Sequence, residues 1–257
     1  MRPIDVATAE TLAFVRQVFP LLPFRALEVG CGPGDLATRL LADGVDLTAL
    51  DASAEAVRLA RAAGVPAVHA DFFAYRDEPY DVLLFTRSLH HMGSLPDAMA
   101  TALRLLRPGG WLIVDEFARE RADRRTAAWF YDTRALLSAA GVLSASGGDH
   151  GTAQDPPDVD ASARDPLERW RAEHGGDPGH PRHDARAMRA EIARRFEIVE
   201  AQDVPYLYRA LIRVIEQTAR GYDVACRLLE MEQRSIAAGW LVPTGVRWAA
   251  RLTTRSG

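Results

Sequence analysis

The sequence predicts an open, doubly wound α/β fold, and three observations predict it. Short apolar runs of roughly four to six residues alternate with helix-like segments, and glycine or proline turns separate the two. Parallel strands joined this way require right-handed crossovers, which cover both faces of a sheet and leave a ligand site outside the strands' carboxyl ends. The composition agrees: 257 residues, 48% apolar and 26% charged, can bury a full core in a single domain.

The elements follow in order. Residues 5–19 place Val6, Leu12, Val15, Val18 and Phe19 near one helical face, and Pro20 and Pro23 break the pattern. The run ALEV from Ala26 leads into a glycine turn, a helix-like DLATRLLADG and a second run, VDLTAL, ending at Asp51. The next helix takes Ser53 as its N-cap and stops at Gly64. Two more runs, VPAVHA and YDVLLF, precede a helix over Leu95–Leu106, a Pro108-Gly109-Gly110 turn and a fifth run, WLIVDEF. Helical patterns then cover about 123–140, 166–173 and 183–195, the last with a solvated arginine face of Arg186, Arg189, Arg194 and Arg195. The Gly/Pro/Asp/Ser-rich stretch Gly141–Pro166 reads as a mobile loop. A sixth strand, FEIVEAQDV, two helical stretches at about 206–219 and 223–238, and a strand within VPTGVRWAARL close the chain.

Composition excludes several chemistries. The chain contains no lysine and no asparagine, and all 31 basic side chains are arginine. A Schiff-base amine, a phosphate-cradling P-loop lysine and a lysine general base are therefore absent, because arginine stays protonated. Cys31 and Cys226 are too few for a disulfide framework and read as free thiols. A net charge of −4 argues for a small-molecule partner rather than nucleic acid. The start MRPIDVATAE has no basic segment leading into an apolar stretch, and no run is long enough to span a bilayer, so a cytoplasmic protein without a membrane partner is expected.

The chemistry concentrates in Glu28-Val29-Gly30-Cys31-Gly32-Pro33-Gly34, between the first strand and the first crossover helix. Missing side chains let the backbone approach a ligand, and N–H groups at a helix start can face it. A dinucleotide oxidoreductase needs G-x-G-x-x-G, whereas this loop is G-x-G-x-G, with Glu28 two residues before it to repel a pyrophosphate. A ligand carrying an ammonium or sulfonium group is favoured instead. Asp51 alone would serve the ribose of a nicotinamide dinucleotide equally well, and that class stays open at this point, as does a non-catalytic cofactor-binding protein.

With these residues in place, the sequence resembles the class I S-adenosylmethionine-dependent methyltransferases over most of its length. The E-x-G-x-G-x-G pattern matches at Glu28, Gly30, Gly32 and Gly34, and the resemblance implies that this loop runs under the methionine part of S-adenosyl-L-methionine. Asp51 matches the acid that receives the ribose hydroxyls. Asp71 and Phe72 match the acid-plus-apolar pair at the adenine, with Asp71 accepting from the exocyclic amine and Phe72 packing on the ring. YDVLLFTRSLHHM and LRLLRPGGWLIVDEF also look like this family, which implies a Rossmann-like seven-stranded sheet with an antiparallel last strand. Within one domain, 1–257, residues 1–24 are expected to form an N-terminal helical cap and 118–195 an inserted lid over the strands' carboxyl ends.

Methyl transfer from a sulfonium is an in-line displacement, so the protein contributes chiefly alignment, worth roughly 7–11 kcal/mol in well-oriented systems. Where an acceptor must lose a proton, an imidazole is the best-suited base, and His90 and His91 after the fourth strand are the catalytic candidates, with a structural or cap-forming role as the alternative and a part in shaping the methyl-donor pocket as what the resemblance implies. Arg87 is a candidate for the cofactor's amino-acid end or for an anionic acceptor, beside backbone contacts from Thr86 to Ser88. No metal is expected: His174, His180 and His183 with Asp177 and Asp184 lack a ligand frame, and the asparagine and lysine common to metal-dependent catechol-type members are missing. The fourth strand ends in Thr86-Arg87-Ser88-Leu89 rather than Pro-Pro-aromatic, and no Pro-Cys pair exists, which disfavours base modification. Trp129, Phe130, Tyr131 and Trp170 are either acceptor-pocket lining or core. Oxygen, nitrogen, carbon and sulfur all remain as acceptor atoms.

Overall fold

The computed structural model describes residues 1–144, 165–174 and 182–252. The chain divides into two compact units. A sheet unit comprises Thr8–Phe117, Pro181–Gln202 and Val246–Gly257, and a helical unit Met1–Ala7, Ala118–His180 and Asp203–Gly245.

Among the described residues, seven strands form one sheet: β1 (Arg25–Val29), β2 (Asp46–Asp51), β3 (Ala67–His69), β4 (Tyr80–Thr86), β5 (Leu106–Phe117), β6 (Phe196–Val204) and β7 (Gly245–Leu252), in the order β3-β2-β1-β4-β5-β7-β6. β1 to β5 pair in parallel, with Glu28 level with Ala49 on one side and Leu84 on the other, and the last strand is antiparallel. The order reverses between β1 and β4, and the carboxyl ends of the two strands at this switch point are Val29 and Thr86.

The helices α1 (Pro3–Val18), α2 (Asp35–Ala42) and α3 (Ala54–Ala62) form where the sequence predicts helices. Leu12, Phe14 and Val15 of α1, Leu36 and Leu40 of α2 and Val57 and Ala60 of α3 share one cluster with Ala26, Leu47, Leu84, Ile113 and Ala249 of the sheet. Alternate strand residues Leu27, Leu50, Leu83 and Phe85 point to the other face and are equally buried, so both faces are covered. Each fully buried leucine there contributes about 1.5–3 kcal/mol. Ser53 caps α3 as predicted, accepting from the Ala56 N–H at 3.2 Å. α4 (Leu95–Leu105) packs on β5, and α7 (Ala185–Ala193) on α4.

Two expectations need correction. Pro108-Gly109-Gly110 lies inside β5, which starts at Leu106 opposite Tyr80 and continues through a register irregularity to Trp111 opposite Val82. Gly109 supplies the positive φ of 77° that lets the strand continue where the sequence suggests a turn. The stretch 206–219 is not one helix: α8 spans only Leu207–Ile212, and Ile215 leaves to bridge Leu143. Thr218 then caps α9 (Ala219–Ala237) by accepting from the Gly221 N–H.

In the helical unit, α5 (Arg124–Ala139) and α6 (Pro166–His174) pack through Phe130 and Trp170, edge to face at 5.3 Å. Trp170 is buried, donates to the Arg119 carbonyl at 2.9 Å and stacks on His174, which makes it core here. Tyr131 is half-buried and donates to Glu173. Most of the predicted loop Gly141–Pro166, its segment 145–164, lies outside the described residues. Among the described residues, no helix is long and apolar enough to cross a membrane.

Candidate active site

The glycine loop is built by backbone geometry that only glycine takes cheaply. Gly30, Gly32 and Gly34 have φ of 74°, 55° and 86°. The N–H groups of Gly30 and Cys31 both donate to the Leu50 carbonyl, at 2.7 and 3.1 Å, tying the loop to the tip of β2. A Cβ on Gly30 would stand 2.5 Å from Ser88 Cβ, whereas one on Gly32 would meet nothing within 4 Å. Gly30 is therefore closed by protein, and Gly32 faces open space.

Glu28 lies within the buried part of β1 and is 1% exposed. Its Oε1 accepts from the Thr86 hydroxyl at 3.0 Å, and its Oε2, equally buried, has no hydrogen-bond partner. Burial pushes the carboxyl up to about 7; the Thr86 hydrogen bond and the Arg87 charge oppose this, and Asp35 and Asp51 add to it. Such an oxygen is costly unless a cation or donor meets it. Cys31, beside it, is a buried free thiol raised to about 12 by burial, with Glu28 and Asp51 adding to the effect, so it is unreactive.

Asp51 closes β2, and both of its carboxylate oxygens already accept from backbone: Oδ2 from Gly32 N–H at 2.9 Å and Oδ1 from Ser53 N–H at 2.8 Å. It thus fixes the loop, and its second lone pairs are what it could offer a ligand. Asp71 is exposed, and its Oδ1 accepts from the Phe73 N–H at 2.9 Å. The Phe72 ring is 4% exposed and packs edge to face on Phe85 at 5.3 Å, so this face of the aromatic is spent on the core.

At the tip of β4, Thr86 bonds Glu28, and Ser88 Oγ donates to the Val29 carbonyl at 2.5 Å. Between them Arg87 has a φ of 64°, the single positive value at a non-glycine among the described residues. Its N–H is held by the Asp115 carbonyl at 2.8 Å and its side chain is exposed. Backbone strain of this kind persists where the surroundings impose it, and it clusters at functional sites.

A 3-10 turn, Leu89–His91, follows. Glu116, fully buried near the end of β5, accepts from the N–H groups of Leu89 at 2.7 Å and His90 at 3.3 Å through Oε1, and from His90 Nδ1 at 2.7 Å through Oε2. A carboxylate can only accept, so Nδ1 carries the hydrogen, which in the neutral ring leaves the lone pair on Nε2. His91 is exposed, with its ring 3.9 Å from that of His90.

Sequence reasoning missed Glu116 and His183. The signal for Glu116 was an acidic pair, Asp115-Glu116, closing an otherwise apolar buried run. In the sequence His183 stands only among histidines and aspartates without a ligand frame, yet its ring Nε2 donates to the Met92 carbonyl at 2.7 Å and its N–H to the His90 carbonyl at 3.1 Å. His174 is used on Trp170, while His180 and Asp177 lie outside the described residues. Among the described residues, no three His, Cys, Asp or Glu side chains form a group able to hold a metal.

Residues 8–145 match the model of a family described as a methyltransferase domain. The chain is 28% identical over 130 residues to a ubiquinone biosynthesis O-methyltransferase of Xylella fastidiosa strain 9a5c, a match covering 47% of this chain and 53% of that protein. The chain thus spans about half the length of the curated relative it matches. Among solved structures it superposes on an S-adenosylmethionine-dependent methyltransferase from Methanosarcina mazei with TM-score 0.55 and 16% identity, covering 94% of this chain and 98% of that one. It also superposes on phosphoethanolamine N-methyltransferase 2 of Haemonchus contortus in complex with S-adenosyl-L-methionine, with TM-score 0.56 and 14% identity, covering 96% of this chain and 53% of that one. The structural likenesses carry the fold, and because the family model spans more than half of the sequence, the chain belongs to the methyltransferase domain family.

Proposed function

We propose that this chain uses S-adenosyl-L-methionine to methylate a small-molecule acceptor, and that the acceptor atom is an oxygen. The observation that carries the cofactor is the buried, unpartnered Oε2 of Glu28 beside a loop whose Gly32 faces open space. A cofactor with a charged amino group supplies the missing donor. The residues present fit it: Glu28 would receive the ammonium, the Gly30–Gly34 backbone would lie under the amino-acid part, and Asp51 and Asp71 are assigned the ribose and adenine. Arg87 is the cation whose field acts on Glu28, and it is assigned the carboxylate of the same amino-acid end. A pyrophosphate at Glu28 would meet the same carboxyl as a repulsion, which disfavours a nicotinamide dinucleotide.

When bound, the cofactor supplies an electrophilic methyl group. The residues of the chain then have three tasks. Glu28, Asp51 and the loop backbone fix the donor. The β4 tip, rigid through Thr86 and Ser88, holds the acceptor side in line. His90 takes a proton at Nε2, and Glu116 at Nδ1 stabilises the imidazolium that forms. Oxygen acceptors need this base most, and the relatives named as O-methyltransferases support the same assignment.

Calorimetry with S-adenosylhomocysteine tests the first half: a saturable heat is expected, and no heat from either donor or product would end the proposal. Transfer of labelled methyl to a panel of catechols and phenolic acids tests the second. His90→Gln is expected to lower kcat by about 10²–10³-fold on a phenolic acceptor while leaving S-adenosylhomocysteine affinity intact.

A further inference from the structure

A short 3-10 turn cannot satisfy its own last carbonyls, and the turn that carries His90 has them met from outside. His183 meets the carbonyl of His90, inside the turn, and that of Met92, the residue that caps it, donating from its N–H to the first and from its ring Nε2 to the second. It stands immediately before α7, whose first turn is capped by Asp184 through the Ala187 N–H at 2.6 Å. α7 packs on both the turn and α4, the helix the turn leads into. The His90 peptide is thus held at its N–H end by Glu116 and at its carbonyl end by His183.

We propose that His183 is a positioning residue for His90, clamping the carbonyls of the histidine-bearing turn so that the His90 ring stays aligned with Glu116. The inference rests on the reading of His90 as the proton acceptor, but it makes a claim of its own about hydrogen placement. Glu116 requires the Nδ1–H form of His90, and the Met92 carbonyl requires the Nε2–H form of His183. The two histidines should therefore sit in opposite tautomers. A side-chain substitution leaves the backbone bond to the His90 carbonyl and removes the ring bond to Met92; with that half of the clamp gone, small displacements of the turn suffice to spoil alignment, since misplacement on the order of 1 Å costs about 100-fold in rate.

The test uses full-length protein labelled with ¹⁵N-histidine, with long-range proton–nitrogen spectra assigned through His90→Gln and His183→Gln. Wild type should show His90 as Nδ1–H and His183 as Nε2–H. His183→Gln, which keeps a side-chain donor, should preserve the His90 signature. His183→Leu should broaden or mix it, and lower kcat by about 10- to 100-fold at unchanged KM and unchanged S-adenosylhomocysteine affinity. Finding His183 in the Nδ1–H form in wild type overturns the clamp without any variant having to fold, and so does a wild-type His90 spectrum in His183→Leu. A retained rate in His90→Gln alongside a perturbed His90 spectrum in His183→Leu removes the proton-transfer role and keeps the clamp, so the two failures are distinct.

Discussion

Gly30 and Gly32 share a left-handed backbone but differ in what an added methyl would touch, and that difference separates folding from binding. Gly30→Ala places Cβ 2.5 Å from Ser88 Cβ at φ 74°, so a cost of about 2–4 kcal/mol in thermal or urea unfolding is expected. Gly32→Ala adds strain of about 1–2 kcal/mol and no clash, so it should fold and still lose S-adenosylhomocysteine binding in calorimetry. Equal binding by Gly32→Ala and wild type would move the ligand away from this loop. Glu28 gives a second residue-scale test, through pH. Its carboxyl rises from 4.5 to about 7 on folding because it is buried. Below pH 4.5 it is protonated in both states and contributes nothing; as pH rises the unfolded chain releases the proton first, so stability is lost up to about pH 7 and then levels. At ~1.4 kcal/mol per pH unit the loss is about 3 kcal/mol, and Glu28→Gln should lack it. Urea unfolding at pH 4.5 and 8 measures the difference, and parallel slopes for the two proteins would show that Glu28 does not titrate there.

At the scale of elements, the irregular parts are held by buried carboxylates. Glu232 of α9, fully buried, accepts from the N–H groups of Tyr206 and Leu207 with Oε1, at 2.7 and 2.9 Å, and of Tyr208 with Oε2 at 2.8 Å. These are the orphan donors that start α8, a helix too short to persist alone. Glu232→Gln turns one acceptor into a donor facing a donor, so a loss of about 2–3 kcal/mol is expected, while Glu230→Gln on the exposed side should stay within about 0.5 kcal/mol. The same contrast explains what the sequence reveals. α2, α3, β1, β2 and β4 are legible because local periodicity and capping agree with their burial, as at Ser53. The break after Ile212 is not legible, because the α8 start depends on a carboxylate about twenty-five residues away. The side proposed for the methyl donor is likewise written in short motifs at Glu28, Gly30 and Asp51. The acceptor side is not, since Glu116 and His183 reach His90 from separate elements and each looks ordinary in its own segment.

For the whole molecule, the local assignments converge on one measurable linkage. A ligand that binds only folded protein stabilises it by RT ln(1 + [L]/Kd), about 2.7 kcal/mol at a hundredfold excess over Kd. For a chain of this size that is a rise of about 5–10 °C in the melting transition that includes the glycine loop. The proposed ammonium contact needs Glu28 ionised, and its carboxyl is raised to about 7, so each pH unit below that should weaken S-adenosylhomocysteine roughly tenfold. At a concentration fixed to a hundred times the pH 8 Kd, the excess at pH 6 is then about tenfold and the stabilisation about 1.4 kcal/mol, half of the former shift. Scanning calorimetry with and without S-adenosylhomocysteine at both pH values reads this directly, and Glu28→Gln should abolish the shift at each. The reduced nicotinamide dinucleotide at the same concentration should leave the transition where it is. A shift of equal size at pH 6 and pH 8 would mean that the ammonium is held by something other than Glu28, and the polarity assigned to the site would have to be reversed at its first residue.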